Sequence, residues 1–173
     1  ILLDNILPWD IYVRSNELHF PVDIPHVVFL IRQTDKTDLA AVDILQSLFP
    51  DKQRDFVLSI SEQDLALVKE VRLNVDTHEF TKLAKTIEET LNSELFVKTV
   101  IGIGTIAPNL KDLATSYKEA QAAIDVGKVF DTEKNIISYE NLGIGRLIYQ
   151  LPTTLCEMFL SEVFKKNSID ALD

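Results

Sequence analysis

The chain has 173 residues, 46% of them hydrophobic, enough for one domain with a well-buried core and some helical additions. Its formal net charge of -10 argues against this chain itself gripping a nucleic-acid backbone, because that binding rests on clustered Lys and Arg. A lone cysteine, Cys156, excludes a disulfide framework, a zinc cluster or a CxxC motif within one copy. Nothing reads as a signal peptide or a membrane span, so a soluble cytoplasmic protein is expected.

In chain order, Ile1 to Leu7 reads as the end of a helix stopped by Pro8. Trp9 to Leu18 is a second short helix with Ile11 and Leu18 on one side, and residues 1–20 together form an N-terminal helical segment. Val27 to Ile31 is a continuous apolar run after Pro25, suited to a central strand covered on both faces. Asp38 to Phe49 carries a broad stripe of Leu39, Val42, Ile44, Leu45, Leu48 and Phe49, and Pro50 halts it: a helix that crosses back over the sheet. Phe56 to Ile60 and Leu65 to Val71 are apolar runs separated by Ser61-Glu62-Gln63-Asp64, the pattern of a hairpin.

Asp76 can cap the next helix, with Glu79 three residues on and Val75 and Phe80 as a hydrophobic staple. Its stripe is Phe80, Leu83, Ala84, Ile87 and Leu91, and it ends near Asn92. Phe96 to Gly104 is predicted as a buried strand. From Leu113 the spacing of Tyr117, Ala120, Ala123 and Ile124 predicts a helix packed on that strand, with Gly127 as its stop. Ile136, Ile137 and Tyr139 predict one more short strand. The order is βαββαβ followed by an αβ unit, an α+β fold with a ferredoxin-like core over residues 21–140. Two helices follow in residues 141–173, Leu142 to Leu151 and Thr153 to Lys166, separated at Pro152. The second is apolar at Leu155, Cys156, Met158, Phe159, Leu160, Val163 and Phe164. That is wider than one stripe: either the whole helix buries within its own domain, or one side does and the other, with Met158, Phe159 and Val163, is a dimer surface.

Few residues point to chemistry. Gly102-Ile103-Gly104, with Ala107 in the third small position, leaves a strand before a helix in the manner of a dinucleotide fingerprint. Pro108 intervenes and no acidic residue ends a second strand at the right distance, so backbone geometry is the better reason for these glycines. His19, His26 and His78 lack metal-ligand spacing, and no metal or cofactor is expected. Asp23, Asp35 and Asp38 flank the first strand as ordinary surface acids, and Ser61 to Asp64 is a polar turn with two carboxylates.

The stretch IGIGTIAPNLKDLATSYKEAQAAIDVGKVF, followed by ISYENLGIGRLIYQLP, resembles the GGDEF-like domain of the CdaR and PucR family, bacterial regulators of sugar-diacid use and purine catabolism. The residues that carry it are the glycine-bearing strand, Ser116-Tyr117-Lys118-Glu119-Ala120, the element Tyr139 to Gly143, and Arg146-Leu147. The resemblance implies a fold related to diguanylate cyclases, whose active-site signature sits on the hairpin between strands two and three. Here that hairpin reads Ser61-Glu62-Gln63-Asp64, without the two glycines that let substrate approach, so no catalysis is expected. It further implies a dimer and a helix-turn-helix domain following the chain, the sole route to DNA. The start at Ile1 without Met and the end at Asp173 just after a helix agree with a piece of a longer protein, and the resemblance allows for a small-molecule effector. The rival readings are a nucleotide-binding or cyclase-like enzyme and a stand-alone interaction scaffold.

Overall fold

The computed structural model describes residues 22–34, 39–130 and 133–143, with positions 145, 147, 151–155, 157, 158, 161 and 162. The helices expected before Phe20, and Asp35, Asp38, Cys156, Phe159 and Val163, lie outside the described residues. The elements are β1 (His26–Gln33), α1 (Leu39–Leu48), β2 (Phe56–Ser59), β3 (Asp64–Glu70), α2 (Thr77–Leu95), β4 (Thr99–Ile103), α3 (Leu113–Phe130) and β5 (Ile136–Ser138). Short 3-10 turns at Leu110–Asp112 and Tyr139–Leu142 precede α3 and follow β5.

They build a mixed five-stranded sheet in the order β2-β3-β1-β4-β5. The first four strands are antiparallel neighbours in ferredoxin-like order, and β5 joins β4 in parallel. The expected α+β fold, βαββαβ plus an αβ unit, is the observed one.

The centre of the sheet explains why β1 is apolar without alternation. Val27, Phe29 and Ile31 bury into one cluster with Ala41 and Leu45 of α1 and Phe80, Ala84, Ile87 and Leu91 of α2. Val28 and Leu30 point the other way, into a cluster with Tyr117, Ala120, Ala123 and Ile124 of α3. A strand covered on both faces has no solvent side to make polar. The rings of Phe29 and Phe80 meet edge to face, centroids 6.1 Å apart, an arrangement worth about 0.5–1.5 kcal/mol beyond the area it buries.

Several boundaries differ from the sequence expectation. Helix α2 starts as expected, its Asp76 side chain accepting the His78 amide hydrogen, but it runs on to Leu95. Phe96 then caps it in the left-handed region, φ 57°, donating its N–H to the Asn92 carbonyl, so β4 begins only at Thr99. Phe96 is 86% exposed and is no part of a buried strand. Asp64 is the first residue of β3 and not part of the loop. Gly127 does not stop α3, which continues to Phe130. Its lack of a side chain instead admits Ile137, whose methyl groups fill the place of a Cβ. Tyr139 buries in the 3-10 turn after β5 and is not a strand residue. Beyond Gly143, positions 145 and 147 are helical, Leu151 is not, and helix resumes at 153–155.

Where β4 leaves the sheet, the ladder is interrupted in a way that fixes α3. Phe29 pairs with Ile103 and His26 bridges to Ala107, so three residues on the outgoing strand oppose two on β1, a bulge. The Val28 N–H, left without a strand carbonyl, donates to the Ser116 hydroxyl at 3.1 Å. That hydroxyl donates in turn to the Thr105 carbonyl at 2.7 Å. A helix side chain thus completes the ladder. Glu119, one turn on, accepts the Thr105 amide hydrogen at 2.9 Å and the Thr105 hydroxyl at 2.5 Å.

Candidate functional site

The end of the sheet where β1 finishes gathers the residues that matter most for function. The β2–β3 loop is held by its own polar groups. The Ile60 and Ser61 amides donate to the Asp64 carbonyl, and the Ser61 hydroxyl accepts from the Gln63 and Asp64 amides. The Gln33 amide donates to the Gln63 carbonyl and fastens the loop to β1. Ser61, Glu62 and Gln63 are exposed, with the Ser61 hydroxyl turned back onto the loop amides.

Asp64 behaves differently. It lies opposite Arg32 in the β1–β3 register and turns toward α3. Arg32 Nε donates to Asp64 Oδ1 at 2.8 Å and Nη2 to Oδ2 at 3.0 Å, a two-pronged pair. Arg32 Nη1 also donates to Asp125 Oδ1 of α3 at 3.1 Å. The hydrogen bond to Asp64, then the charges of both acids, raise the Arg32 pKa beyond its ordinary value, so the guanidinium is a permanent cation. Tyr117 lies near enough for its phenol to feel both charges, although burial is the larger cause of its raised pKa.

The chemical consequence is that both Asp64 oxygens are committed to an arginine of the same domain. A divalent cation needs several oxygen ligands with free lone pairs, and the guanidinium occupies one lone pair on each oxygen of the half-buried Asp64 carboxylate and sets a fixed positive charge against it. Glu62 points into solvent. Among the described residues no group of three or more His, Cys, Asp or Glu side chains is placed to hold a metal ion. Asp23 and His78 are exposed and separate from this end of the sheet. His26 is buried at the start of β1, its Nδ1 2.8 Å from the Ile24 carbonyl oxygen, and burial lowers its pKa. His19 lies outside the described residues.

The glycines of β4 are explained by α3. A Cβ on Gly102 would collide with the Ala120 carbonyl oxygen and Ile124, and one on Gly104 with the Ser116 backbone and hydroxyl. The helix sits where a phosphate would have to approach, so these glycines serve close helix–strand contact. Ser116, Tyr117 and Ala120 therefore have distinct tasks on one face of α3. Ser116 closes the ladder over Gly104, Tyr117 packs beside the Arg32 cluster, and Ala120 leaves space over Gly102.

Residues 4–126 match the family model of the GGDEF-like domain. The chain belongs to that family. No curated protein matches it. In this GGDEF-like domain the match takes in all of the ferredoxin-like core and most of α3, including the Ser116 to Ala120 stretch. Tyr139 to Gly143 falls beyond it.

Neither Arg32 nor Asp125 was singled out from the sequence. The signal for Arg32 was present: a lone cation ending an apolar run, on the Val28 and Leu30 face of a strand buried on both sides, requires a carboxylate partner. Asp125 carried none, because its link to Arg32 depends on how α3 crosses the sheet.

Proposed function

We propose that this GGDEF-like domain is a non-catalytic regulatory and dimerisation domain of a bacterial transcription regulator of the CdaR and PucR type. The observation that carries the reading is the capture of the hairpin carboxylate, Asp64, by Arg32 on both of its oxygens. The hairpin tip, Ser61-Glu62-Gln63, adds three side chains where a cyclase needs bare backbone. In this reading the fold is kept for its shape, as a rigid body between a sensing event and DNA-binding helices, and phosphoryl chemistry has been lost. An effector would act by binding one arrangement of the dimer more tightly than the other. DNA contact belongs to a helix-turn-helix domain beyond Asp173, since the net charge here is -10. The work place of such a regulator is the cytoplasm, and among the described residues no helix is long and apolar enough to cross a membrane.

The test is incubation of the full-length protein with GTP and magnesium, followed by chromatography for cyclic dinucleotide and by thermal shift. No product and no shift are expected. Turnover of GTP, at any rate above a buffer blank, would overturn the reading in favour of a cyclase. Dimerisation is read separately by sedimentation of the Met158→Asp variant, Met158 being exposed. A dimeric wild type and a monomeric variant are expected; a monomeric wild type removes dimerisation from the proposal.

A further inference from the structure

We draw no further inference here: the strongest candidate, the cleft of about 950 Å³ between the end of β3 and the start of α2, lined by Arg54, Arg72, Asp76, Glu79, Phe80 and Leu83, carries nothing because acids stand beside its arginines and nothing in the structure shows what covers it.

Discussion

Replacing Ser116 with alanine tests how α3 is fixed to the sheet. The Ser116 hydroxyl is 1% exposed in its residue and stands between two backbone groups, accepting from the Val28 N–H at 3.1 Å and donating to the Thr105 carbonyl at 2.7 Å. Alanine fits the space but leaves a buried donor and a half-buried acceptor without this partner. An orphaned donor costs about 1–3 kcal/mol, and a carbonyl with a second lone pair available loses less. The sum is about 2–3 kcal/mol, which in a chain of this length lowers the melting temperature by roughly 5–10 °C. Urea unfolding should show a lower midpoint at an unchanged slope, since the same surface is exposed. The Val28 amide should also exchange with deuterium faster than its neighbours in β1. Thr115→Ala, next to it on the exposed side of the helix, should stay within about 0.5 kcal/mol of wild type. A Ser116→Ala protein within that same margin, with Val28 still protected, would refute the idea that this hydroxyl completes the ladder.

Gly102→Ala should destabilise by about 1–3 kcal/mol through overpacking, because the new methyl meets the Ala120 backbone, which cannot rotate away; a neutral result in the same urea assay would mean that α3 shifts freely. Arg32→Ala should cost about 1–2 kcal/mol, below the value for a fully buried pair because the Arg32 and Asp64 side chains keep 21% and 14% exposure. Its loss should be partly relieved in Arg32→Ala with Asp64→Asn, and a double variant less stable than the single one would contradict the pairing. His26 has a folded pKa below its ordinary value of 6.5, chiefly from burial, so the neutral form stabilises the fold above that value. That contribution is lost as pH falls from 6.5 through the folded pKa, with Glu70 and Asp55 opposing the shift. The fall in urea midpoint between neutral pH and pH 5 should therefore be smaller in His26→Gln than in wild type, and an identical fall would exclude His26 as a source.

The fold was legible because the core strand and helices repeat their apolar residues at distances that allow one solution each. Val27 to Ile31 admits only a strand covered on both faces, and Phe80, Ala84, Ile87 and Leu91 only a helix. Boundaries failed where local chemistry was overruled by a neighbour. Phe96 is apolar and reads as strand, yet its backbone closes a helix in a conformation that bulky residues seldom adopt. Gly127 has the composition of a helix stop, but Ile137, ten positions on, requires the missing side chain. Site residues failed for a different reason. The Ser61 to Asp64 turn was visible as a hairpin, whereas the pairing of Asp64 with Arg32 is a contact across 32 positions and that of Arg32 with Asp125 across 93, set by register and helix crossing and not by any local pattern.

The two-sided sheet has a consequence for how the protein is made. Everything needed for the first four strands and for α1 and α2 has been synthesised once Ile103 has been added, and one face of that sheet can bury as soon as β4 has cleared the exit tunnel. The other face, with Val28, Leu30, Ala66 and Val68, stays bare until α3 emerges from the ribosome and lies across it. At ordinary rates of translation that interval lasts a few seconds, long beside the time a helix takes to form. During it the nascent chain presents an apolar sheet surface to solvent. Ribosome-associated holdases should therefore be found on ribosomes stalled once β4 has cleared the exit tunnel, and much less on those stalled after Phe130 has cleared it.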